Sequence, residues 1–454
     1  MGTMPVRPLL LHMAWPMMLS MLIQALYNLV DSMFVSRLSA SAFQALSLAY
    51  PVQMFMVAVC VGTGVGVNAL LSRRLGEGDR AAAGAVALNG AFVYLLSWVV
   101  FLCFGLFLTR PFLAFFTQDA AIIADGSVYL AIVTGASLGM TMQFVTERIL
   151  LATGDPVGPM VIQGIGAVVN LVVDPLLIFG PGPFPALGVA GAAIATVLGQ
   201  WAGMATGFFL VHRRRSLPLS LRGFRPKGAV IGEIYRIGVP AIAMQSLSSV
   251  MTLGLNKIMA LFDPSAVFIL GAYFKLQSFL IMPVAGLTNG LTPLVAYNYG
   301  AGLRERIQAL VRFALALGAA IMAAGTLLLC LFPGFFLRLF DADPQVLSTG
   351  VTALRIIASS FVFAGVSTVL CAVFQALGAS LLSLAVSLLR QVVLMLPLAL
   401  VLGLLRPALM WVCFPAAETV TCLLALLAYR RLCRRKLLTA GGERHRFRFV
   451  TQCS

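Results

Sequence analysis

The sequence predicts an all-α membrane protein, with twelve transmembrane helices in two pseudo-symmetric six-helix lobes around a central cleft. Three observations carry this expectation. Apolar residues make up 60% of the 454-residue chain and charged residues only 10%, whereas a soluble domain needs about a quarter charged residues to build its surface. The apolar residues gather in runs long enough to cross a bilayer. The two halves of the chain also share one register of prolines, glutamines and glycines.

A helix crosses the hydrocarbon with roughly 20 mainly apolar residues. Runs of that kind lie at 9–36, 43–71, 82–109, 120–152, 157–180, 187–211, 233–261, 265–296, 306–332, 345–376, 380–404 and 407–429. Their length argues for helices, since barrel strands would alternate over about ten residues. The first run has no small-residue cleavage site and reads as a spanning helix rather than a removed leader.

The gaps set the orientation. Gaps after even-numbered runs carry Arg73, Arg74 and Arg80, then Arg213, Arg214, Arg215, Arg222, Arg225 and Lys227, then Arg304 and Arg306. The other gaps hold only Arg37, Arg110, Arg338 and Arg406, and the tail adds a dense basic cluster. Basic loops stay in the cytoplasm, so both termini are expected there, in a bacterial inner membrane. This placement also accounts for the net charge of +16. With no soluble basic domain, nucleic acid is excluded as a partner, and the lipid bilayer takes its place. The eight cysteines form no CxxC pair and no cluster with metal spacing, so neither a disulfide framework nor a zinc site is expected.

The domain boundaries follow from the longest basic linker. Residues 1–212 form the first lobe, 213–229 a cytoplasmic linker, 230–433 the second lobe and 434–454 a basic tail. A shift of 224 positions aligns Pro16 with Pro240, Gln53 with Gln277 and Phe55 with Phe279. The same shift aligns Gly62 with Gly286, Gly66 with Gly290, Gly76 with Gly300, Gly78 with Gly302 and Gly154 with Gly378. Six helices per copy make the repeat parallel, an arrangement whose binding site lies between the halves in secondary transporters.

Ionisable residues at membrane depth are costly and are functional candidates by default. Asp31 lies in run one, Asp174 in run five and Glu418 in run twelve, while Glu147 and Glu233 are expected at cytoplasmic ends within reach of water. Gln24 precedes Asp31 by two turns, and Asn170 shares a helix face with Asp174. A carboxylate in such a place can exchange a proton or a sodium ion; the plainer alternative is a buried hydrogen-bonded Asp that ties helices together. Pro16 kinks the helix that carries Asp31. Tyr27, Asn28, Lys275, Arg390 and Glu418 are further candidates for the cleft, with Lys275 or Arg390 as partners for Glu418. Lys257 and Arg355 also fall within spans. No nucleophile set can be assembled at depth and no ATP-binding Walker sequence is present. An enzyme and an ATP-driven pump are therefore disfavoured, and no cofactor is expected.

Several segments carry a family resemblance. They are YNLVDSMFVSRLS at 27–39, GTGVGVNALLSRRLGEGD at 62–79 and ATGDPVGPMVIQGIGAVVNLVVDPLLIFG at 152–180, then GVAGAAIATVLGQ at 188–200, PLVAYNYGAG at 293–302 and LLRQVVLMLPLAL at 388–400. In order and spacing the chain resembles the multidrug and toxin extrusion (MATE) family, in its DinF-like branch. The resemblance implies export of amphipathic, often cationic small molecules in antiport with protons or sodium ions, by a monomer. It implies a coupling site at Gln24, Asp31, Asn170, Asp174 and Thr196, with Na+ at Asp31, Asn170 and Asp174 if sodium is the ion. A lipid-linked oligosaccharide or lipid flippase of the same superfamily is the alternative, kept open by Lys275, Arg355 and Arg390.

Overall fold

The computed structural model describes residues 1–36, 40–180, 185–215, 217–219, 224–338 and 344–434. Within its helices the side chains of 27–33, 35, 36, 40, 41, 43, 264 and 344–346 lie outside the described set. Tyr27, Asn28 and Asp31 are among these, and the basic tail beyond residue 434 and part of the 213–229 linker also lie outside it.

Among the described residues the chain is helical without a strand. Its first half forms α1 (Val6–Ser36), α2 (Ala40–Gly76), α3 (Arg80–Phe107), α4 (Thr109–Phe116), α5 (Ala120–Gly135), α6 (Leu138–Ala152), α7 (Val157–Phe179) and α8 (Val189–Arg214). The second half opens with α9 (Gly228–Phe262), α10 (Pro264–Gly300), α11 (Arg304–Leu331) and α12 (Pro333–Arg338). It continues with α13 (Pro344–Ala358), α14 (Phe361–Ala376), α15 (Ser380–Leu388), α16 (Met395–Leu405) and α17 (Cys413–Leu432). A π-helical turn, Leu389–Leu394, links α15 to α16.

Ten of these helical stretches are long and apolar enough to span a membrane, and twelve spans result when two bent pairs each count as one. The bent pairs lie in the apolar runs at 120–152 and 345–376. The axis turns by 40° between α5 and α6 and by 42° between α13 and α14. Serine hydroxyls at the breaks compete for backbone carbonyls. Ser137 donates to the Thr134 carbonyl at 2.6 Å, and Ser360 donates to that of Ile357 at 2.6 Å.

The two halves repeat element by element. Helix α2 ends at Gly76 and α10 at Gly300, while α3 starts at Arg80 and α11 at Arg304. The turns that follow α2 and α10 place Gly78 and Gly302 at φ 83° and 75°, and those after α6 and α14 place Gly154 and Gly378 at φ 91° and 69°. A side chain at such left-handed positions would be strained, which explains why these glycines hold the repeat register.

The chain forms two compact units. One is Trp15–Ile242; the other joins Met1–Ala14 to Ala243–Ser454. The changeovers fall inside α1 and α9, beside Pro16 and Pro240, rather than in the basic linker. Close packing of small residues makes this division. In the first unit a Cβ on Gly66 of α2 would stand 2.3 Å from the Ile234 carbonyl oxygen of α9, so only glycine admits the leading turns of α9. In the second unit a Cβ on Gly290 of α10 would stand 2.9 Å from the backbone nitrogen of Ala14 on α1.

Candidate functional site

The first unit buries a carboxylate between α7 and α8. Asp174 is 1% exposed and Asn170, one turn before it, is 2% exposed. With its amide nitrogen turned toward the carboxylate, Asn170 donates to Asp174 Oδ2 at 3.2 Å and its oxygen accepts from the backbone N–H of Thr196 at 3.1 Å. One amide thus bridges α7 to α8.

Glycines make that bridge short enough. A Cβ on Gly199 would lie 2.7 Å from the Gly166 carbonyl oxygen and 3.1 Å from Asn170 Cβ, so α8 rests directly on the backbone of α7. Pro175 follows Asp174 within α7; it has no N–H for the carbonyl of residue 171, so it loosens the helix beside the carboxylate. An aspartate carboxylate held by an amide beside a helix proline offers oxygens suited to a proton or a small hard cation.

The structure brings together Asn170, Asp174 and Thr196 of the expected set. Thr196 takes part through its backbone N–H. Gln24 is exposed on α1, and Pro16 is buried within the same helix. The side chains of Asp31, Tyr27 and Asn28 lie outside the described set.

In the second unit Arg390 Nη1 lies 3.7 Å from Glu418 Oε2. At that length the contact is an ion pair rather than a hydrogen bond. Glu418 is 7% exposed. Arg390 sits in the π-helical turn, a local irregularity found often at functional sites. Tyr273 of α10 packs edge-on to Phe414 of α17 at 5.1 Å beside this pair. Lys275, one of the cleft candidates, has an exposed side chain, as do Lys257 and Arg355; Arg355 donates to the Cys330 carbonyl at 3.2 Å.

Glu147 corrects the sequence reading. It was expected near water at a helix end but is 3% exposed, because α2, α3, α7 and α8 all pack against α6. Gln143 donates to its Oε1 at 2.9 Å and Gln163 of α7 donates to its Oε2 at 3.2 Å. Arg148, beside it, is 6% exposed. The i,i+4 spacing of Gln143 and Glu147 was the available signal. Glu233, by contrast, does lie at a helix end, where Arg74 holds it at 3.1 Å.

The MatE family profile matches the chain twice, at residues 16–176 and 240–401. The chain belongs to the MatE family. The two matches begin 224 residues apart, the offset of the internal repeat. As a MatE protein it is a membrane transporter rather than an enzyme. It is 30% identical over 403 residues to the FAD transporter of Shewanella oneidensis, covering 87% of this chain and 88% of that one. It is 25% identical to the probable multidrug resistance protein NorM of Thermotoga maritima, covering 78% of this chain and 76% of that one. It is 27% identical to the multidrug export protein MepA of Staphylococcus haemolyticus, with 81% of each chain covered. Among solved MatE-type structures, an outward-facing multidrug resistance MATE transporter superposes with a TM-score of 0.87 at 23% identity over 94% of this chain and 96% of that one. The Vibrio cholerae MATE transporter VcmN gives 0.87 at 24% identity over 95% and 98%. At these identities the likeness speaks for the fold alone.

Proposed function

We propose that this MatE protein is a DinF-like, cation-coupled antiporter that exports amphipathic, often cationic small molecules. The coupling ion is a proton or a sodium ion, bound in the first unit at Asp31, Asn170 and Asp174, with Gln24 and Thr196 as neighbours. The single observation that carries this reading is the buried Asp174–Asn170 pair closed onto the backbone of α8. A carboxylate is expensive to keep at membrane depth, and exchange of a cation gives it a use there. A cationic substrate and the ion then compete for the same negative charge. The relatives named for multidrug resistance and export favour this substrate class. In this account the protein works as a monomer in a bacterial inner membrane, with both termini in the cytoplasm.

The test is dye efflux from cells that produce the protein. Asp31→Asn and Asp174→Asn each abolish efflux at unchanged expression. Efflux at the wild-type level from either variant removes that residue from the coupling site.

A second reading rests on the relative named a FAD transporter. Its cargo is an anionic nucleotide, for which Arg390 offers a positive contact once released from Glu418. Export of FAD by wild type, lost in Arg390→Met while dye efflux is absent throughout, would favour this reading over the first.

A further inference from the structure

The buried carboxylate of Glu147 has no part in the coupling site proposed above, yet it ends an ordered chain of hydrogen bonds. The Ser20 hydroxyl of α1 donates to Gln163 Oε1 on α7. Gln163 Nε2 donates to Glu147 Oε2 at 3.2 Å, and Gln143 Nε2 donates to the other carboxylate oxygen at 2.9 Å. Three helices of the first unit are thereby joined through one directed chain, Ser20 to Gln163 to Glu147.

Position gives the chain its meaning. Asp174 follows Gln163 by eleven residues on α7, and Asp31 follows Ser20 by eleven residues on α1. Eleven residues make about three turns, about 16 Å, and return to the same helix face. The Glu147 cluster therefore shares the α7 face of Asp174, three turns nearer the start of that helix, and Ser20 stands three turns nearer the start of α1 than residue 31.

We propose that Glu147 is a second proton-binding site of the transporter, and that its protonation state is relayed through Gln163 to Ser20. The proposal rests on the coupling reading of Asp31 and Asp174 and adds the inward end of the path. A proton taken from water onto Oε2 turns that oxygen into a donor facing an amide that is itself donating. The Gln163 amide then turns over. Its Oε1 accepts from the acid and its NH2 donates to Ser20 Oγ. The Ser20 hydrogen turns to the carbonyl of Pro16, one turn back, in the manner of serines within helices. Every group keeps a partner, and the chain runs the other way, Glu147 to Gln163 to Ser20. Loss of the proton to water restores the first direction.

The surroundings suit a site that gives up its proton again. Arg148 stands beside Glu147 on α6, its guanidinium 5.7 Å from the Phe144 ring centre and its Nε without a hydrogen-bond partner. Tyr94 of α3 lies within electrostatic reach of both Glu147 and Arg148 and donates to the Cys60 carbonyl of α2 at 2.6 Å. The Cys60 thiol faces Arg148 from α2. From α7 the cluster meets the Gln163 amide. From α8 it meets Gly203, where a Cβ would stand 2.5 Å from Gln143 Oε1. The two glutamines hold the carboxyl in place in either state, with the Arg148 guanidinium as its neighbour on α6.

The test combines pH-difference infrared spectroscopy of the purified full-length protein with proton-driven dye uptake into everted vesicles. Wild type, Glu147→Gln, Glu147→Asp and Asp174→Asn are compared. Glu147→Gln loses one protonated-carboxyl signal that Asp174→Asn retains. Its uptake falls about tenfold with a flattened pH profile, the size expected for one buried hydrogen bond to a charged group. Should Glu147→Gln not fold, Glu147→Asp keeps a carboxyl signal but displaces it, because the shorter acid cannot hold both glutamine contacts. Spectra of the Glu147 variant that match wild type overturn the proposal, as does loss of the signal with wild-type uptake and pH profile. If Glu147→Gln behaves as described but Asp174→Asn transports normally, the coupling reading fails and the Glu147 site stands.

Discussion

At the residue scale, the account turns on which polar groups are held and by what. Asn170 presents its oxygen to the backbone N–H of Thr196, not to the hydroxyl. Thr196→Ala is therefore expected to keep near wild-type transport, whereas Asn170→Leu abolishes it; dye efflux at matched expression checks both, and loss in Thr196→Ala would mean the hydroxyl is used. The Arg390–Glu418 pair gives a stability prediction. Glu418→Gln leaves the half-buried Arg390 guanidinium without its counter-charge and lowers stability, while the double change Glu418→Leu with Arg390→Met recovers most of the loss. Thermal unfolding in detergent measures the difference. The pairing of Asn170 with Asp174 was legible from their spacing, because i,i+4 neighbours meet on any helix. Glu147 was not, because its depth was judged from distance along the chain, while its burial comes from four helices packing against α6. Arg390 and Lys275 looked alike in sequence; only the fold separates the half-buried, ion-paired one from the exposed one.

At the scale of elements, glycine contacts decide which helices touch. Gly199→Val pushes α8 off Gly166 and Asn170, costing about 1–3 kcal/mol as an overpacked contact and breaking the amide bridge. Gly164 of α7 has open space where a Cβ would go, so Gly164→Ala raises stability by about 0.5–1 kcal/mol through lost chain entropy. Unfolding temperatures of the two variants should move in opposite directions; a shared direction would contradict the packing described. The apolar runs located the spans because length and composition alone set them. The breaks at Ser137 and Ser360 were hidden, since a serine inside an apolar run reads the same whether its hydroxyl faces a neighbour or takes a carbonyl from its own helix.

At the scale of the whole molecule, the internal repeat was legible because one offset aligns glycines that the turns require at positive φ. The place where the chain passes from one compact unit to the other was not. It depends on α9 meeting Gly66 and α1 meeting Gly290, contacts between residues far apart in sequence. The basic gaps predict a topology with both ends in the cytoplasm: a C-terminal fluorescent protein fusion glows and an alkaline phosphatase fusion stays inactive, and the reverse pattern contradicts it. The central claim, that a cation bound beside Asp174 drives export, is tested most directly by uptake of a fluorescent cationic dye into everted vesicles under a proton gradient and, separately, a sodium gradient. The account predicts that at least one gradient drives uptake by wild type and that neither does so for Asp174→Asn. Undiminished gradient-driven uptake by Asp174→Asn, or wild-type uptake indifferent to both gradients, would contradict it.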